Sequence, residues 1–153
     1  MKILPKRTRL FYGVILILIT VIITCSSTFA VQPGESIPNI ILTGLKIYKG
    51  NPGAAMQVWL KGSPLAGTEI AREQEKVLKE TQNRYGRFLG YDLIEIAKLS
   101  ESSQLVYIQM NFQDGPLFCK FLCYLKYENW IISGTLLFHP DPEEVIPDRI
   151  MFR

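Results

Sequence analysis

Two cysteines four residues apart, Cys119 and Cys123 in "FCKFLCY", come nearest to a chemical motif in this chain. Such a pair can hold copper or cycle between dithiol and disulfide, and His139, the single histidine, is a conceivable third ligand. That reading makes the protein a thiol-based copper or redox carrier. The spacing opposes it. Four residues along a strand separate the Cα atoms by ~13 Å, well past the ~7 Å limit for a disulfide. Buried cysteines that pack as small apolar side chains fit the pattern better.

The other polar candidates are scattered. Asp92 and Glu95, with Tyr91 beside them, supply carboxylates that a small-molecule enzyme of the isomerase or dehydratase type could use. Tyr107, Gln109, Asn111, Lys120 and Tyr124 make the best polar and aromatic patch, suited to recognising a protein or a polar ligand. The sequence has no glycine-rich phosphate loop, no G-x-S-x-G elbow and no metal-spaced His/Asp/Glu cluster. No catalytic residue, metal site or cofactor is therefore expected.

The first thirty residues read as an export signal. "MKILPKRTR" is basic, Leu10 to Thr24 are apolar, and "TFA" resembles a cleavage exit ending at Ala30. Fifteen apolar residues fall short of the ~20 that span a bilayer comfortably. An uncleaved N-terminal membrane anchor is the alternative, and export to the periplasm or beyond the cell is expected either way. The chain holds 17 Lys/Arg against 14 Asp/Glu. Lys2, Lys6, Arg7 and Arg9 all lie in the signal, so the rest balances at 13 to 14. The basic footprint of a nucleic-acid binder is missing. Residues 31–36 read as a linker, 37–139 as one α+β domain and 140–153 as a proline-rich tail.

Three helical segments come first. Ser36 is the expected cap of the first, with Pro38 in its first turn and Ile41, Leu45 and Tyr48 on one stripe. Asn51 and Pro52 open a second containing Met56 and Trp59, with Gly62 as its stop. The third, within 63–86, places Ile70, Val77, Leu78, Thr81 and Tyr85 on its buried face and its many charges in solvent. The period then changes to two, giving strands in "RFLGYDLIEIAKL", "SQLVYIQMNFQ", "PLFCKFLCYLKY" and "WIISGTLLFH".

Two-residue turns at Asp114-Gly115 and Glu128-Asn129 pair Met110 with Cys119, and Cys123 with Gly134. One sheet face then collects Val106, Ile108, Met110, Phe112, Leu117, Cys119, Phe121, Cys123, Leu125, Ile132, Gly134, Leu136 and Phe138, all apolar or glycine. His139 falls on the other face, which is half apolar. That apolar half suggests cover by a partner or by a second copy in a homodimer. For the first strand, either Ile94 and Ile96 or Leu93 and Glu95 point inward.

Helices followed by a meander, with "RYGRFLGYDLI", "DGPLFCKFLCY" and "YLKYENWIISGTLLF", resemble the nuclear-transport-factor-2-like superfamily, and most of all its small exported bacterial members. The resemblance covers roughly residues 37–138. It implies a bent four-stranded antiparallel sheet wrapping two or three helices into a cone, with a small-molecule pocket at the mouth and a dimer through the outer sheet face. Enzymatic members place an Asp or His acid/base pair on the inward face. Here that face has no ionisable group besides the two thiols, unless Glu95 points inward. Proton transfer needs a titratable group within reach of the substrate. The sequence thus points to a non-enzymatic binding or interaction module, possible partners being a protein or a small apolar ligand.

Overall fold

A computed structural model describes residues 36–49 and 51–152. The chain divides into two units, 1–32 and 33–153, and the described residues all belong to the second. The segment read as an export signal, with its expected cleavage site, therefore lies outside the described residues, as does most of the expected linker. No helix among the described residues is long and apolar enough to cross a membrane.

The helices are α1 (Asn39–Tyr48), α2 (Pro52–Trp59) and α3 (Glu69–Tyr85). Ser36 does not cap α1: Pro38 is the cap residue, and its carbonyl accepts from the N–H groups of Ile41 and Leu42. Asn51 caps α2 as expected, its side chain accepting from the Ala54 N–H at 3.0 Å. Thr68 caps α3 through its hydroxyl. The buried stripe of α3 is Ala71, Leu78 and Thr81, and Ile70 is 54% exposed. Starting the helix at Glu69 turns Ile70 outward and brings Gln74 over the sheet, where its Oε1 accepts from the Phe138 N–H at 2.6 Å.

Four antiparallel strands follow in sequence order: β1 (Phe88–Ser100), β2 (Ser103–Phe112), β3 (Pro116–Lys126) and β4 (Asn129–His139). The expected faces are present, but both turns differ. Asn111 pairs with Pro116 and Met110 with Leu117, two residues away from a tight Asp114-Gly115 hairpin. The wider loop docks on the end of α3, where Asp114 N–H donates to the Tyr85 carbonyl and Gln113 N–H to that of Arg87. Between β3 and β4 the turn residues are Tyr127 and Glu128, with Lys126 opposite Asn129. A bulge at Ser133–Thr135 then restores the expected pairs Phe121–Leu136 and Cys119–Phe138. Gly134, at φ 83°, supplies the left-handed residue the bulge needs. Side chains alternate with period two, so a shift of two leaves every residue on its face.

β1 follows neither sequence alternative. Its register shifts between Leu93 and Glu95, so Leu93 pairs with inward Ile108 while Glu95 pairs with outward Tyr107. Ile96 then returns inward beside Val106.

The inner core runs from Ile41, Leu45 and Tyr48 through Trp59 to Cys119, Phe121 and Phe138, all at most 1% exposed. Trp59 sits directly on Gly44, and its Nε1 donates to the Ile41 carbonyl at 3.2 Å. Its ring meets those of Tyr48, Phe121 and Phe138 with centroids 5.4–6.5 Å apart. The Tyr48 hydroxyl donates to the Leu78 carbonyl at 3.1 Å, tying α1 to α3.

A Cβ on Gly44 would stand 2.0 Å from Trp59 Nε1, so Gly44→Ala must separate α1 from α2. We expect it to cost about 1–3 kcal/mol, the usual penalty of overpacking. Gly90→Ala, where a Cβ meets nothing within 4 Å, should change stability little. Urea denaturation followed by circular dichroism distinguishes the two; equal midpoints would disprove the Gly44–Trp59 contact.

Candidate functional site

Cys119 and Cys123 both lie on the inner face, fully buried and unbonded to each other. Burial pushes the Cys119 thiol well above its ordinary value and Cys123 up to about 12. A thiolate is the form that attacks disulfides and binds metals, so this environment disfavours both reactions. No group of three or more His, Cys, Asp or Glu able to hold a metal is present among the described residues.

The patch read from the sequence lies on the outer face but divides into three. Gln109 and Asn111 join Asp92 across β1 and β2: Gln109 Nε2 donates to Asn111 Oδ1 at 2.7 Å, and Asn111 Nδ2 donates to Asp92 Oδ2 at 2.6 Å. Tyr107 forms the second part, paired with Glu95 on one side and Lys120 on the other. Glu95 and Lys120 are half-buried, whereas Tyr107 is only 1% exposed. Tyr124 stands apart, 45% exposed near the far end of β3.

Tyr107 is covered by the chain's own C-terminus. The tail, expected to lack regular structure, forms a 3₁₀ turn (Pro142–Glu144) and a short helix α4 (Asp148–Met151). Val145, Ile146 and Ile150 form a second apolar cluster with Tyr107, flanked by Leu105, Phe118 and Leu137. Leu105, Phe118 and Leu137 are three of the five outer apolar residues that in sequence suggested a partner; the other two, Leu122 and Ile131, are not part of this cluster. Asp141 caps the 3₁₀ turn through Oδ1, which accepts from the Glu143 N–H at 3.0 Å. Burial raises the Tyr107 phenol above its ordinary value, against the opposing pull of the Arg149 guanidinium.

Neither Asp92 nor Glu95 reaches the inner face. Rings fill the space between helices and sheet where a pocket for an acid/base pair would lie. Two surface depressions border residues singled out in the sequence, Tyr124 in one and His139 in the other. One is an open groove of about 720 Å³ between Gly62–Pro64 and the β3–β4 hairpin, lined by Tyr124, Lys126, Tyr127, Ile131 and Ser133. The other, about 170 Å³, lies where the C-terminal half of α3 meets His139. The sequence reading passed over Tyr127, Glu80 and Arg84. Only a positive φ distinguishes Tyr127 from an ordinary turn residue, and a charged helix face looks the same whether or not a strand end packs beside it.

Three outcomes are expected of the thiols and the tail. A soluble disulfide reagent should label neither cysteine until denaturant unfolds the chain. Above pH ~8.5 the unfolded thiol ionises while folded Cys123 does not until about 12. In that window the unfolded state binds fewer protons, so stability falls with rising pH, by about 1.4 kcal/mol per unit for each thiol. Cys123→Val should flatten this slope in urea titrations between pH 8 and 10; an unchanged slope would rule it out. Ile146→Ala should cost about 2 kcal/mol and increase binding of an apolar dye to the outer face.

Comparison with models of protein families, with curated proteins and with solved structures finds no match for this chain.

Proposed function

We propose that this chain is an exported, non-catalytic interaction module that recognises a protein segment in the groove beside the β3–β4 hairpin. The observation that carries this reading is Tyr127. It is 90% exposed and holds a left-handed φ of 58°, so it contributes neither burial nor a relaxed backbone to the fold. Left-handed backbone costs a residue with a Cβ about 1–2 kcal/mol. With Tyr124 it presents two exposed phenols along one groove, Lys126 between them in sequence. Tyrosine combines large contact area with few rotatable bonds, which makes it a preferred anchor at interfaces.

The element order, three helices and then a meander, supports the nuclear-transport-factor-2-like reading with a bent, cone-like sheet. The filled inner face favours interaction over storage of a small apolar ligand. The dimer through the outer sheet face keeps less support, because the tail already covers Leu105, Phe118 and Leu137 and leaves only Leu122 and Ile131 of the apolar residues that suggested it. Export rests on the basic and apolar pattern of residues 1–30; N-terminal sequencing of the mature protein tests it, with a start near Val31 expected.

Tyr127→Asn gives the sharpest test, because asparagine tolerates the left-handed region. The variant should be more stable by about 0.5–1 kcal/mol yet lose recognition. A photo-crosslinking residue at Lys126, in the native host, should yield one discrete protein adduct that Tyr127→Asn and Tyr124→Ala both remove. Adducts indifferent to both substitutions would sink the proposal.

A further inference from the structure

The depression between α3 and the end of β4 gathers more chemistry than any other place on the described surface. Glu80, Thr81, Arg84 and Tyr85 come from the last turns of α3, and His139 faces them from the edge strand. Gln74 holds the strand edge against the helix by accepting from the Phe138 N–H, so the two walls are fixed relative to each other. Thr81 is 6% exposed at the floor, and Val77 supplies an apolar side.

The charges are poised but not joined. Glu80 and Arg84 are one helical turn apart, the spacing at which opposite charges usually pair. Arg84 nevertheless makes no ion pair or hydrogen bond among the described residues, while Glu80 has only a loose contact with Lys76 at 3.7 Å. His139 is oriented by its own backbone, since Asp141 N–H donates to Nδ1 at 3.1 Å. The Asp141 carbonyl also lies 3.3 Å from Nδ1, so the backbone holds the ring in either neutral tautomer. With its proton on Nε2, the tautomer a bound carboxylate would select, the imidazole offers a second donor besides the Arg84 fork.

We propose that this depression binds a compact zwitterion, an α-amino acid with a small apolar side chain. Its carboxylate meets Arg84 and His139 Nε2–H, its ammonium meets Glu80, and its side chain lies on Val77. A simple anion would be opposed by Glu80 and a simple cation by Arg84. One molecule carrying both charges satisfies each. The depression, at about 170 Å³, has room for a compact ligand rather than an extended one. The site is independent of the hairpin groove and does not rest on the interaction proposed there.

The test is an NMR titration of the full chain with alanine and valine at constant ionic strength, with acetate and methylammonium as the two half-ligands. Saturable shifts at the His139 ring and the Arg84 side chain are expected for the amino acids. Glu80→Gln and Arg84→Met are exposed substitutions that should leave the fold intact, and each should weaken binding about tenfold or more, as expected for losing a charge-assisted contact. Acetate binding as tightly as alanine with Glu80→Gln silent would overturn the proposal. So would the absence of saturation with either amino acid.

Discussion

Trp59 seated on Gly44 is the contact on which the rest of the arrangement depends. Without a Cβ at Gly44, the indole lies flush against α1 and gives its only N–H to the Ile41 carbonyl. Two short helices thereby become one layer, and the exposed side of the indole becomes the surface that the sheet packs on. Phe121 and Phe138 meet it from neighbouring strands, and Tyr48 carries the cluster to Phe88 and Phe112. Neither short helix has the length to be stable alone in water. Their burial supplies what their length does not.

The two sheet edges are managed differently. Along β4, α3 lies close enough for Gln74 to accept from the Phe138 N–H, so that part of the edge is occupied by the chain itself. β1 has three register irregularities instead, and bulges are a recognised means of keeping an edge from pairing with another chain. The same irregularities turn Glu95 outward and leave Leu93 46% exposed on the inner side. A strand that interrupts its own alternation cannot present one uniform face.

Both sites proposed above lie at the margins of this domain. The inner face is a packed aromatic core, and its thiols are held in their unreactive form by burial. Around Tyr107 the outer face is covered by Val145, Ile146 and Ile150. At the hairpin tip and along the seam between α3 and β4, Tyr127 and Arg84 project without holding the fold together.

Much of this was legible in the sequence. Helices before strands, the Asn51 cap and the membership of the apolar sheet face follow from local rules: capping chemistry, a period near 3.6 and a period of two. The face assignment survived both misplaced turns because an even shift conserves it. Other features depended on groups distant in sequence. The β2–β3 loop widened because Tyr85 and Arg87 offered it backbone carbonyls, and no local rule contains them. The phase of β1 depended on bulges, and the cover of the outer face on a tail whose prolines suggested no regular structure. By itself the sequence determined the membership of the inner face of β2 to β4, because alternating apolar side chains suffice for it, whereas Ile70 and Tyr107 differ from what their local patterns implied. Only the tertiary structure decided what they pack against and which polar groups are left open, because those depend on contacts between segments distant in sequence, such as Trp59 with Phe138 and Gln74 with Phe138.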